Sequence, residues 1–137
     1  MSVVGLAFSP VPAHVRTARM LSVAIGRRSG LPDELLDEVR LAVNEACIRA
    51  VAVHGRLRRD DEIKVEFCED SRGYQISIAD VGPLEDATPA SLDEPFSPSS
   101  DAMAASIELA IVSGLVEDVQ LKAGADGGTV VVLRWNR

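Results

Sequence analysis

The sequence predicts an α+β fold: a two-layer sandwich with helices on one face of a mixed, mostly antiparallel sheet. Three observations carry that expectation. Two early stretches, 14–29 and 33–53, repeat apolar residues at helical spacing. Two later pairs of short apolar-polar segments each flank a turn-rich stretch, as hairpins do. The chain has 137 residues, 47% hydrophobic and 26% charged, which suits one domain with a core of its own.

Residues 3–8 read as a short strand, ended by Ser9-Pro10-Val11-Pro12. Over 14–29, Val15, Ala18, Leu21, Ala24 and Ile25 recur on one helical face, and Gly30-Leu31-Pro32 stops the helix. Pro32 with Asp33 and Glu34 starts the next helix, with acids at the positive end of its dipole. That helix is expected over 33–53, with Leu36, Val39, Leu41, Val43, Ala46 and Ala50 inward. Residues 63–69 alternate, placing Ile63, Val65 and Phe67 on one face. Ser71-Arg72-Gly73 is a turn, and 74–79 is the returning strand. The stretch 82–105 is rich in Pro, Ser, Asp and Ala, and 83–105 reads as a lid-like or partner-binding loop. Residues 107–115 read as a helix, and 119–123 with 129–135 as a last hairpin around 124–128.

The same composition narrows the function. Two cysteines without a Cys-x-x-Cys, and two histidines, leave too few ligands for zinc, so no metal site of that kind is expected. Cys47 and Cys68 read as core thiols, and Trp135 and Phe67 as core aromatics. No leader peptide and no apolar run of about 20 residues is apparent, so a cytoplasmic, non-membrane protein is expected. A net charge of −7 argues against binding nucleic acid through phosphates. Local basic clusters, Arg27-Arg28 and Arg56 with Arg58-Arg59, suit a protein partner better.

Chemistry-bearing residues gather in a few places. Glu45 lies in Leu41-Ala42-Val43-Asn44-Glu45-Ala46-Cys47-Ile48-Arg49-Ala50-Val51, and a helical carboxylate facing a cleft can accept the proton of an attacking serine hydroxyl. Asp80, in Ile78-Ala79-Asp80-Val81-Gly82, sits at a strand end where it can accept a hydrogen bond from the amino group of a base. Gly82 lets backbone approach the ring, and Thr129 has a hydroxyl that could support Asp80 through water. His54 reads as a charge at a helix C-terminus, favoured by the dipole.

The segment around Glu45 resembles the N-box helix of GHKL ATPases, in the short form used by anti-sigma-factor serine kinases. That pattern runs Ser or Asp, Glu-Ala, two variable residues, Asn-Ala, and often a His soon after. Glu45, Ala46, Ala50 and His54-Gly55 match it, and Arg49 stands where the family has its magnesium-binding Asn. Asp80-Val81-Gly82 resembles the box that reads adenine. The segment from Leu109 to Val119 resembles the helix and strand after the ATP lid, and Gly127-Gly128-Thr129 the closing hairpin. The resemblance spans nearly the whole chain as one histidine-kinase-like ATPase domain.

The resemblance implies that Glu45 is the base, that Asp80, Gly82 and Thr129 hold ATP, and that magnesium neutralises phosphates. It also implies an anti-sigma factor that holds a sigma factor off RNA polymerase. Release would come through a STAS-type anti-anti-sigma protein, which intact relatives phosphorylate on serine. Ala18-Arg19 matches an Ala-Arg pair of the family's first helix, so Arg19 is implied in partner contacts. Residues 3–8 are a candidate edge for homodimer pairing.

The departures point the other way for catalysis. Ser106-Ile107-Glu108-Leu109 replaces the lid's glycines, and Glu108 adds negative charge where phosphates would sit. Arg49 cannot ligate magnesium; it can take a phosphate as a bidentate donor or pair with Glu45 or Glu108 in place of nucleotide, and the internal ion pair is the expectation. The expected function is therefore a partner-switching regulator with ATP binding and kinase activity weakened or lost. The alternatives are an active ATP-dependent serine kinase, and a pseudo-enzyme that senses another nucleotide.

Overall fold

The structure is a computed structural model and describes residues 2–84, 116 and 118–136. The expected lid-like loop beyond Leu84, the helix over 107–115, and Ser106 and Glu108 lie outside the described residues.

Strand β1 (Ser2–Phe8) comes first, then a single 3-10 turn, Pro12–His14. Helices α1 (Val15–Arg28) and α2 (Asp33–Arg56) follow. Strands β2 (Ile63–Asp70), β3 (Gly73–Asp80), β4 (Asp118–Ala123) and β5 (Thr129–Asn136) complete the described chain. The sheet runs β1-β2-β3-β5-β4, and every pairing among the described residues is antiparallel. The parallel pair of a mixed sheet does not occur among them.

Alternation decides which sheet face meets the helices. Ile63, Val65 and Phe67 of β2, Tyr74, Ile76 and Ile78 of β3, and Val131, Leu133 and Trp135 of β5 are all buried. They face Val39, Val43, Ala46, Cys47 and Ala50 of α2 and Val15, Ala18 and Ile25 of α1 in one core. Cys68 is one step out of that phase and is only part-buried, because it points to the other sheet face. It is therefore not the core thiol expected, whereas Cys47 is fully buried.

Helix α1 ends as the sequence indicates. Gly30 adopts φ +93, and the Leu31 N–H donates to the Gly26 carbonyl at 3.1 Å, satisfying a helix-end acceptor. Helix α2 overruns its expected end by three residues and closes with Arg58 at φ 55, a position more often given to glycine. Leu41, expected inward, is 45% exposed, since Val39, Ala42 and Val43 take the core-facing positions around it. Tyr74 ties the layers together, donating its hydroxyl to the Ser22 carbonyl of α1 at 2.8 Å.

Candidate functional site

Helix α2 lies across β3, and the C-terminal end of that strand carries the first polar residues of the core. Val39, Val43, Ala46 and Ala50 hold α2 to the sheet, which brings Arg49 over Asp80. The Arg49 Nη1 donates to Asp80 Oδ2 at 2.6 Å, with the two side chains 1% and 0% exposed. Asp80 Oδ1 accepts the Gly82 N–H at 2.7 Å. The Gly82 carbonyl in turn accepts the Thr129 hydroxyl at 2.8 Å. One connected chain thus links α2, the end of β3 and the start of β5.

Two glycines make this packing feasible. A Cβ on Gly82 would run into the Val53 side chain, and one on Gly128 would run into the Asp80 carbonyl oxygen. Gly82 therefore serves close approach between strand end and helix.

His54 adds a second link, one turn further along α2, and it is fully buried. The Val81 N–H can only donate, so the 3.0 Å contact makes His54 Nε2 an acceptor. The ring proton then sits on Nδ1, donated to the Asp61 carbonyl at 3.0 Å. His54 lies in the last turn of α2, as expected, but not as a helix-end charge. It is instead a buried clamp on the segment after β3, and the signal for it was the match of His54-Gly55 to the N-box pattern.

Of the residues singled out from sequence, Arg49, Asp80, Gly82 and Thr129 come together. Thr129 meets Gly82 directly, where support of Asp80 through water was expected. Arg49 was expected to pair with Glu45 or Glu108; its carboxylate is Asp80. A helical neighbour four residues back lies on the same side of α2, but Asp80 is the carboxylate across the layer interface. Glu45 is half-buried on α2. Arg19 lies elsewhere, on α1, where its Nη1 donates to Asn44 Oδ1 of α2 at 2.9 Å.

Arg19 lines a groove of about 620 Å³ with Arg16, Met20, Val23, Arg27 and Arg40. Among the described residues no carboxylate lines it, and Met20 is 61% exposed. A second cavity, of about 370 Å³, opens beside the end of β3 between Asp61, Glu62, Lys64 and the Gly124–Gly128 turn. Arg49 is not in its wall.

ATP with magnesium does not fit the polar groups as they stand. The Asp80 side chain is 0% exposed and paired with Arg49, so as packed here it presents no oxygen to an adenine amino group. Arg49 is a cation at the metal-binding position of the resembled pattern. Among the described residues, no group of three or more His, Cys, Asp or Glu side chains is placed to hold a metal ion.

A helix pair thus lies on one face of an antiparallel sheet, with the polar strand end of β3 pressed under the second helix. The chain matches the histidine kinase-like ATPase domain over residues 8–135 and belongs to that family. No curated protein matches it.

Proposed function

We propose that the chain is a partner-switching regulator of transcription, an anti-sigma factor whose ATP binding and kinase activity are weakened or lost. The buried Arg49–Asp80 pair carries the second half of that reading, because it closes from solvent the carboxylate an adenine would need. The first half is supported by membership of the family and by the groove on α1 and α2. Four arginines around exposed Met20, in a chain of net charge −7, suit an acidic, partly apolar protein surface. A sigma factor and a STAS-type anti-anti-sigma protein are the proposed partners, with Arg19 at the contact.

Calorimetric titration of Mg-ATP tests the loss of the site. Wild type is expected to give no binding heat at micromolar ATP. Micromolar binding by wild type would overturn the reading, and phosphate transfer to a STAS protein, abolished by Glu45→Ala, would then establish an active kinase. Partner binding is tested separately, without nucleotide, by co-purifying the chain with candidate sigma and STAS proteins. Arg16→Glu with Arg27→Glu is expected to abolish the complex, and an unchanged complex would remove the groove from the interface.

A further inference from the structure

Only one corner of Arg49 is spent on Asp80. Among the described residues, Nε and Nη2 meet no hydrogen-bond partner, and they are closed from solvent. These two nitrogens are neighbours: the Nε N–H and one Nη2 N–H point side by side, as the fork with which arginine takes two acceptors at once. A buried donor without an acceptor is costly, more so on a charged group. The guanidinium is also held firmly. Asp80 grips Nη1 at 2.6 Å, and the Gly82 N–H fixes Asp80 from behind at 2.7 Å. A reader of this kind loses little freedom when a ligand arrives.

We propose that Arg49 makes this a site for a 6-oxopurine nucleotide, guanine or hypoxanthine, in place of adenine. The proposal rests on reading the closed cleft as a former ATP site, and it is independent of the partner reading. A 6-oxopurine presents O6 and N7, two acceptors on one edge, which match the arginine fork. Adenine presents an amino donor beside N7, so one N–H of the fork would face another N–H. With the Asp80 carboxylate turned to Arg49 Nη1, the donors left without a partner among the described residues are those of the Arg49 fork, which favour a 6-oxopurine edge over adenine. Because both nitrogens are closed from solvent, the base reaches them only through an opened state. Association is then expected to be slower than at a preformed site, because binding requires a conformational change.

The test is calorimetry on the full chain with GDP, IDP, ADP and 7-deaza-GDP, with sodium glutamate as a simple carboxylate. IDP lacks the 2-amino group of GDP, so the two are expected to bind alike. Both should bind at least roughly tenfold more tightly than ADP, the scale of one good bidentate contact. Loss of N7 in 7-deaza-GDP should remove most of that advantage. Arg49→Lys, which keeps the charge but not the fork, should bring GDP down to the level of ADP. If that variant does not fold, the 7-deaza comparison on wild type decides. ADP binding as tightly as GDP, an unaffected 7-deaza analogue, glutamate competing GDP away at equal concentration, or no binding by any of the nucleotides would each overturn the proposal. Co-purification with protein partners uses no nucleotide, so its outcome is separate.

Discussion

At the scale of single residues, Arg49 and Asp80 depend on each other. Either one alone would be an uncompensated buried charge, and breaking such a pair typically costs about 3–5 kcal/mol. Arg49→Ala should lower unfolding free energy by that order in urea titration. Arg49→Met combined with Asp80→Leu should cost well under the sum of the single changes, since no lone charge then remains. A loss below about 1 kcal/mol for Arg49→Ala would mean that the pair is not the buried clamp described. Burial pushes the Cys47 thiol up to about 12, so it stays protonated at ordinary pH. A thiol reagent at pH 8 should therefore label Cys68 alone in the native protein and both cysteines in denaturant. Rapid native labelling of both would contradict the core position of Cys47. Sequence made Arg49 legible as a misfit, because its neighbours kept a recognisable pattern. Its partner was not legible, because Asp80 is 31 positions away and only the packing of α2 on β3 chooses it over Glu45.

At the scale of elements, periodicity served well where one face is buried. It located both helices and the hairpin of β2 and β3 to within a few residues. It failed at Leu41, since a long helix drifts relative to a flat sheet and an apolar residue can fall off the buried stripe. Between β2 and β3, Asp70 Oδ1 accepts the N–H groups of Arg72 at 2.8 Å and Gly73 at 3.1 Å. These bonds, with the nearby Arg134, hold the Asp70 carboxyl below its ordinary 3.8 despite some opposing desolvation. A lowered folded value means that the stabilisation is present above the unfolded value and is lost as pH falls through the folded one. The difference in melting temperature between wild type and Asp70→Ala should therefore be full at pH 7 and shrink on acidification below the carboxylate range. A difference that grows with acid would reverse the assignment.

At the scale of the whole molecule, the sequence of strands along the chain is not their order in the sheet. β5 lies between β3 and β4, and β1 pairs with β2 across both helices. That order is invisible to local patterning, because each strand's alternation specifies a buried face but not a neighbour. The register from Ser2↔Glu69 to Phe8↔Ile63 joins residues more than fifty positions apart. Such contacts form late when their loop-closure cost is high. Val4→Ala and Leu6→Ala, at positions packed against the core edge, should therefore speed unfolding and leave the folding rate nearly unchanged. An equal slowing of folding would place β1 in the folding nucleus.

The position of β1 also has a consequence during synthesis. Residues 2–8 are Ser-Val-Val-Gly-Leu-Ala-Phe, with no charge and no proline to discourage edge pairing. The strand they belong beside, β2, is made more than fifty residues later. At about 5–20 residues per second, several seconds pass on the ribosome before β1 has a mate. During that interval a seven-residue apolar strand is free to meet other nascent chains. Slow translation between α2 and β2 would lengthen the exposure, so the yield of soluble protein is tied to the pace at which the helices and β2 follow.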